Sequence, residues 1–286
     1  MPELPEVETI CKDLSKKIIN KKIVSVIVKK PRLVRSSVTK FKKEILGSKI
    51  IKIYRRGKLI IIYLSSSKYL LVHLKMTGQL IYQQGDRIIA GGHSLPKLEQ
   101  GLPNKFSHII FIFSDKSKLF FNDMRQFGYM QVVTRDELDN ILDNYGIEPL
   151  LDNFSWENFK KVLQNRKTSI KALLLNQKII AGIGNIYVDE ICHASKIRPM
   201  RRTDKLTESE KKRLWQNSTK IIKKAINKRG TTFSDYVDAD GQSGLYIKYL
   251  KVFGRQGQEC LTCHQGVIKK IKHAGRGTHY CPNCQK

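Results

Sequence analysis

Cys260-Leu261-Thr262-Cys263, seventeen further residues, then Cys281-Pro282-Asn283-Cys284 is the stretch that decides how the C-terminal part of this chain folds. Two Cys-x2-Cys pairs at that separation match a tetrahedral zinc ribbon with four thiolate ligands. The competing reading, two disulfides or four spare thiols, conflicts with a reducing compartment. Four protein ligands leave no open coordination position, so the expected cofactor is one structural zinc ion with no part in bond breaking. Between the pairs stand Lys269, Lys270, Lys272, His273, Arg276 and His279, with no acid among them. The ribbon is therefore expected to present cations, and cations bind phosphate.

The same bias runs through the whole chain. Of its 286 residues, 53 are Lys or Arg and 25 Asp or Glu, a net charge of +28, while 41% are hydrophobic. That apolar content is ordinary for a globular protein, which excludes a disordered polycation and makes nucleic acid the leading partner. A basic membrane-surface protein is the rival, but no amphipathic Lys-rich helix with an aromatic face stands out. The acidic, proline-containing N-terminus is unlike a signal or transit peptide, and apolar runs such as 59–64 are far too short to span a bilayer. The expected setting is cytoplasmic, with no membrane partner, and Cys11 and Cys192 are expected as reduced, partly buried thiols.

Upstream of the ribbon the pattern is helical. Residues 136–144, 156–165, 169–176, 186–195 and 208–228 read as helices, the last announced by the capping box Thr207-x-x-Glu210. Gly182-Ile183-Gly184-Asn185 lies between two of them and reads either as a simple connector or as a turn exposing N–H groups to phosphate. Before position 134, eight short β-rich runs (22–30, 48–54, 58–64, 69–74, 79–83, 108–113, 118–121 and 128–133) indicate a β-sandwich, interrupted by an expected exposed insertion over 84–106. A helix precedes them, with Val7, Ile10, Leu14 and Ile18 at helical spacing.

Just ahead of that helix stands Met1-Pro2-Glu3-Leu4-Pro5-Glu6. Loss of Met1 exposes a secondary amine on Pro2, and an α-amino group titrates near pH ~8, so part of it is unprotonated at neutral pH. Attack on a sugar carbon gives an iminium ion, an electron sink, with Glu3 beside it to handle protons. The alternative is a turn-prone terminus with scattered acids.

Taken together, these residues resemble the formamidopyrimidine-DNA glycosylase family, bacterial base-excision enzymes that share their fold with endonuclease VIII. The resemblance spans the chain: Pro2-Glu3-Leu4-Pro5-Glu6-Val7-Glu8-Thr9, Arg56-Gly57-Lys58, His73-Leu74-Lys75-Met76-Thr77-Gly78, Asp123-Met124-Arg125-Gln126-Phe127-Gly128, Gly184-Asn185-Ile186-Tyr187 and Cys281-Pro282-Asn283-Cys284-Gln285-Lys286. It implies an α+β multidomain chain: an N-terminal β-sandwich catalytic domain with an N-terminal helix (1–134), a helix–two-turn–helix domain (135–250) and a zinc finger on Cys260, Cys263, Cys281 and Cys284 (251–286). It further implies a monomer, associated with the bacterial nucleoid, that holds damaged duplex DNA in the cleft between these domains. It would remove oxidised purines such as 8-oxoguanine and formamidopyrimidines, then cut the strand by β,δ-elimination.

By resemblance Pro2 is the Schiff-base nucleophile, Glu3 the acid/base, Lys58 a further proton donor near the sugar-phosphate, and Arg276 the finger arginine that grips phosphate near the lesion. Met76, Arg125 and Phe127 match the trio that fills the gap left by an everted nucleotide: a flexible apolar filler, a fork for the orphaned cytosine and a wedge between base pairs. Core packing is the alternative for Met76 and Phe127. His73, Arg166, Lys171, Asn185 and Tyr187 fall where backbone contacts are implied, a solvated or packed role being the alternative for each, and residues 240–251 resemble the loop covering an everted base, an ordinary surface loop being the alternative. The family often has Pro and Arg where this chain has Met124 and Gln126, and His where it has Phe106. His93, in the insertion, is the replacement contact for that last position, a solvated loop histidine being the alternative. Leu4 and the intact trio separate the chain from endonuclease VIII, which usually has Gly at that position. A non-catalytic DNA-binding zinc protein leaves Pro2, Glu3 and Lys58 unexplained.

Overall fold

A computed structural model of the chain describes residues 1–92, 101–231 and 245–286. They form two compact units, one of residues 1–143 with 228–245 and one of residues 144–227 with 246–286.

The first unit opens with α1 (Leu4–Ile18), which buries Val7, Ile10, Cys11, Leu14 and Ile18 on one face, as the spacing predicts. Its orientation against the sheets is fixed partly by an ion pair, Glu8 Oε2 accepting from Arg55 Nε at 2.8 Å. After β1 (Ile23–Val28) and α2 (Val38–Ile45) come β2 (Ile50–Arg56), β3 (Leu59–Leu64), β4 (Tyr69–His73), β5 (Gly78–Gln84), β6 (Arg87–Gly92), β7 (Ser107–Phe113), β8 (Lys118–Asp123) and β9 (Tyr129–Val133). Two antiparallel sheets result, β1-β7-β8-β5-β6 and β2-β3-β4-β9. Alternate residues from both, including Ile60, Ile62, Val72 and Met130 from one and Leu80, Phe111 and Phe121 from the other, form a single core with α1. The period of two sends Ile81, Ile110 and Phe120 to the opposite face of the larger sheet. Burial of each such side chain stabilises the sandwich by about 1.5–3 kcal/mol. After β9 comes α3 (Arg135–Leu142), started by a Thr134/Glu137 capping box.

Two elements differ from the sequence reading. The expected insertion over 84–106 begins as a strand: β6 pairs with β5 across the turn Gly85-Asp86, with Gly85 at φ +57°. A Gly-Asp pair between two β-branched runs is a hairpin signal, and the cluster of Gly and Pro beyond it masked that signal. The sequence pattern does not announce α2, because its eight Lys-rich residues carry only Phe41 and Ile45 as a buried pair. Its N-cap is visible: Ser37 accepts from Lys40 N.

In the second unit α4 (Trp156–Leu163), α5 (Ile170–Leu175), α6 (Asn185–Ala194) and α7 (Glu208–Asn227) are followed by the hairpin β10 (Lys269–His273) and β11 (Arg276–Tyr280). Helix starts are capped by Ser155, Ser169 and the Thr207/Glu210 box, in which Glu210 N donates to Thr207 Oγ1 at 3.3 Å and Thr207 N to Glu210 Oε2 at 2.8 Å. The buried Glu190 carboxylate on α6 accepts from the backbone N–H groups of Lys251, Val252 and Phe253, each at 2.9 Å. That carboxylate fixes where the chain enters the ribbon. Cys11 and Cys192 are free and buried, as expected.

Candidate active site and nucleic-acid contacts

In the first unit the chain begins at the head of α1. Glu3 is its N-cap and is 3% exposed; Glu6 Oε2 accepts from Glu3 N at 2.9 Å. The other oxygen of Glu6 accepts from Thr231 N at 2.8 Å and Thr231 Oγ1 at 3.1 Å. Gly230 makes this approach possible, because at its φ of +81° a Cβ would lie 2.5 Å from Glu6 Oε1. Pro2 is buried, and Lys58, in the two-residue turn Gly57-Lys58 between β2 and β3, is 5% exposed. Burial holds the Met1 amine below its usual value; Glu3 and Glu6 oppose that, and Lys58 and Arg125 add to it. These charges therefore converge on the chain terminus.

The two loop motifs of this unit are tied together by one buried carboxylate. Asp123, 0% exposed at the end of β8, accepts from Thr77 Oγ1, from Arg125 N at 3.2 Å and from Gly128 N at 2.7 Å. Thr77 Oγ1 in turn accepts from Arg125 N at 2.9 Å, and His108 Nε2 donates to the Asp123 carbonyl at 2.8 Å. Only glycine fits at 128, where a Cβ would meet the Phe121 ring at 2.7 Å. At 78 a Cβ would meet the Leu74 carbonyl oxygen at 2.4 Å. Arg125 and Phe127 emerge from this knot exposed, Phe127 to 55%, with the guanidinium 4.7 Å from the Phe127 ring centroid. Core packing is thereby excluded for Phe127, while Met76 is half-buried. Gln126, at φ +55°, accepts from Arg32.

His73 closes β4. Its Nδ1 accepts from Lys75 N at 3.0 Å, and burial, reinforced by Lys75, Lys58 and Arg35, pushes its pKa down to about 3. It is neutral at pH 7, and with Nδ1 accepting, the proton sits on Nε2 as a donor. His93 lies outside the described residues, as do residues 240–244 of the 240–251 segment, whose remainder opens with a 3-10 helix, Leu245–Tyr249, that buries Tyr246.

In the second unit the four cysteine sulfurs lie within 4.8 Å of one another, with Cys260–Cys284 and Cys263–Cys281 at 3.7 Å. A tetrahedron with Zn–S bonds of about 2.3 Å has edges of about 3.8 Å, so the cage fits zinc. Gly266 is obligatory beside it, since a Cβ there would lie 2.7 Å from Cys281 Sγ. Arg276 is exposed at the hairpin tip, after Ala274 and Gly275 at φ +50° and +69°, the pair of positive values that a tight two-residue turn requires.

Two of the expected backbone contacts, Lys171 and Tyr187, are buried, the packed alternative for each. Lys171 is 0% exposed: its Nζ donates to Asp189 Oδ1 at 2.7 Å and to the Gly277 carbonyl at 3.1 Å. Tyr187 is also 0% exposed and packs on Tyr246 at 5.7 Å. Asn185, half-buried at the start of α6, donates from Nδ2 to the same Gly277 carbonyl at 3.1 Å, and Asp189 Oδ2 accepts from His279 N at 2.8 Å. Lys171, Asn185 and Asp189 thus hold the strand that carries Arg276. Arg166 is exposed, its Nε donating to the Val162 carbonyl at 2.8 Å. The sequence reading gave no role to Asp123, Thr77, Glu6 or Asp189; the first three stand inside the quoted motifs, and only burial reveals their work.

Comparison with known proteins agrees along the whole chain. The formamidopyrimidine-DNA glycosylase N-terminal domain matches residues 1–130, the H2TH domain of that enzyme residues 145–236, and the zinc finger found in FPG and IleRS residues 257–286. Formamidopyrimidine-DNA glycosylases of Carboxydothermus hydrogenoformans and Pelotomaculum thermopropionicum are 43% and 42% identical, the alignments covering 100% of this chain and 100% and 99% of theirs. A Lactococcus lactis FPG mutant solved with a Fapy-dG containing DNA superimposes with a TM-score of 0.88 at 34% identity, covering 100% of both chains. The Lactococcus lactis Fpg solved with an abasic site containing DNA gives 0.88 at 35%, covering 99% of each.

Proposed function

From the premise that this chain belongs to the formamidopyrimidine-DNA glycosylase family, and is thus a DNA glycosylase of DNA repair with one structural zinc ion, we propose that it excises oxidised purines through a Schiff base on Pro2 and then acts as a lyase. The observation that carries this reading is the convergence of Glu3, Glu6, Lys58 and Arg125 on a chain terminus held below its usual pKa by burial. A lowered pKa raises the unprotonated, nucleophilic fraction of an amine. In the chain as it stands that amine is on Met1; its removal passes the amine to Pro2, one residue along in the same surroundings.

The Pro2 nitrogen attacks the anomeric carbon, the damaged base departs with its bonding pair, and Glu3 protonates the sugar ring oxygen as the ring opens to the iminium. The iminium acidifies the neighbouring sugar C–H. Loss of that proton expels the 3′ phosphate, a second elimination expels the 5′ phosphate, and a one-nucleotide gap with phosphate at both ends remains. Lys58 supplies a proton near the sugar-phosphate. Met76, Arg125 and Phe127 occupy the vacated stack, and exposed Phe127 beside Arg125 supports that role. His73, Asn185, Arg166 and Arg276 contact the backbone. The enzyme works as a monomer in the bacterial cytoplasm; the relatives named above are bacterial, and among the described residues no helix is long and apolar enough to cross a membrane.

Borohydride reduction during turnover of a duplex carrying 8-oxoguanine opposite cytosine tests the proposal. The expected result is a covalent protein–DNA adduct, lost when the terminus is blocked by retained Met1. Full trapping with a blocked terminus would place the nucleophile elsewhere.

A further inference from the structure

One cluster of charge in the β-sandwich unit shares only His73 with the contacts named above. Arg35 is exposed, and its guanidinium carbon lies 3.3 Å from the centroid of the Tyr129 ring. Lys75 Nζ lies 5.8 Å from the same centroid, and the His73 ring stands 5.7 Å away. The backbone fixes this arrangement, since Arg35 N donates to the Met130 carbonyl at 2.9 Å and Val34 bridges to Met130, the residue after Tyr129. Among the described residues no carboxylate forms an ion pair with Arg35 or Lys75. Burial and the neighbouring Arg35 hold Lys75 below its usual pKa, and the only charges perturbing His73 are cationic.

Two cations, Arg35 and Lys75, gathered on one aromatic ring with no acid to balance them, repel one another unless an anion sits among them. The stack pins the guanidinium plane and leaves its N–H edges free, and a planar fork of that kind matches a phosphate in a bidentate manner, which a lone lysine does not. The Nε2–H of neutral His73 adds a donor that costs no charge. We propose that Arg35, stacked on Tyr129 beside Lys75 and His73, is a further backbone-phosphate site, extending this unit's grip on duplex DNA. The proposal rests on the duplex-binding reading above.

The test is the dependence of duplex affinity on salt, measured on undamaged and lesion-containing DNA for the wild type and for Arg35→Ala, Arg35→Lys and Tyr129→Leu. Each phosphate neutralised contributes about −0.9 to the slope of log affinity against log salt. Arg35→Ala should make the slope shallower by about that amount on both duplexes. Arg35→Lys should keep the slope but weaken binding, because the charge remains and the fork is lost. Tyr129→Leu should weaken binding about two- to fivefold at fixed salt, the value of an exposed cation–π contact. Thermal melts of all three check the fold, which the exposed Arg35 side chain leaves intact and against which any loss at the half-buried Tyr129 is read. A steep wild-type slope that Arg35→Ala leaves unchanged overturns this site alone, whereas a flat wild-type slope overturns the duplex reading together with it.

Discussion

Arg125 stands on a loop whose backbone is tied to a buried carboxylate, and Arg276 stands on a hairpin that grows from a cage of four thiolates. Behind the first lies a sandwich core drawn from two sheets and a helix. Behind the second lies a cluster of four buried residues, Val252, Cys260, Ile268 and Cys281, two of them metal ligands. A large apolar core orders its loops well enough for one carboxylate, Asp123, to finish the work by collecting the Thr77 hydroxyl and two backbone N–H groups. A small one does not, and the ribbon adds a metal and a set of anchors at its hairpin: Lys171 and Asn185 on the Gly277 carbonyl, Asp189 on His279. Two exposed arginines are thus held in place by different physics.

The strongest way to break this contrast is to remove the metal. Structural zinc in such sites contributes about 10–16 kcal/mol of folding free energy, far more than a four-residue core can replace. Chelation, or Cys263→Ser, is expected to abolish duplex binding and to release the hairpin while the β-sandwich keeps its sheet signal in circular dichroism. Tight lesion binding by zinc-free protein would show that the ribbon does not present Arg276.

A smaller effect is expected from the ion pair beneath the hairpin. Lys171→Met leaves the Asp189 carboxylate buried without its cation, and such removals cost about 3–5 kcal/mol. Adding Asp189→Asn should recover part of the loss, since the amide oxygen still accepts from His279 N while the stranded charge is gone. Denaturant melts of the two single variants and the double variant measure this. If Lys171→Met left stability unchanged but made the salt dependence of DNA binding shallower, Lys171 would be a phosphate contact after all.

That lysine also shows where sequence reading stops. The helix Ile170–Leu175 is apolar on every side, a pattern that marks a buried helix, and a cation within it is buried by its neighbours. Charge counting treats it like any of the other 52 basic residues. Most element boundaries are legible because their chemistry is local: the Thr207/Glu210 box, the short β-rich runs of β3 to β5 with turns between them and the cysteine spacing each fix a fold within a few residues. Asp123 was quoted without a role, because its partners Thr77 and Gly128 are brought to it only by the pairing of β5 with β8 and the return of the chain into β9. Exposure is tertiary information too, and it decides that Phe127 is a projecting side chain and Tyr187 a core one.

The finest distinction lies between what the two arginines hold. If Arg276 grips a phosphate, Arg276→Ala should weaken binding to damaged and undamaged duplex alike and make the salt slope shallower by about 0.9, one phosphate's share. The partner proposed for Arg125 is different, the cytosine left unpaired by eversion, which exists only in the lesion complex. Arg125→Ala should therefore change the slope little and instead reduce discrimination between cytosine and adenine opposite the lesion, by up to the ~1–3 kcal/mol of a bidentate base contact. The Asp123 knot predicts that this loss is confined to the side chain, because the loop backbone is bonded through Arg125 N and Gly128 N, which the substitution leaves in place. Salt titrations of both variants on duplexes differing only in the opposite base separate the two roles. Equal slope changes with unaltered opposite-base preference would make Arg125 a second phosphate contact and erase the functional half of the contrast, leaving only the difference in how the two side chains are held.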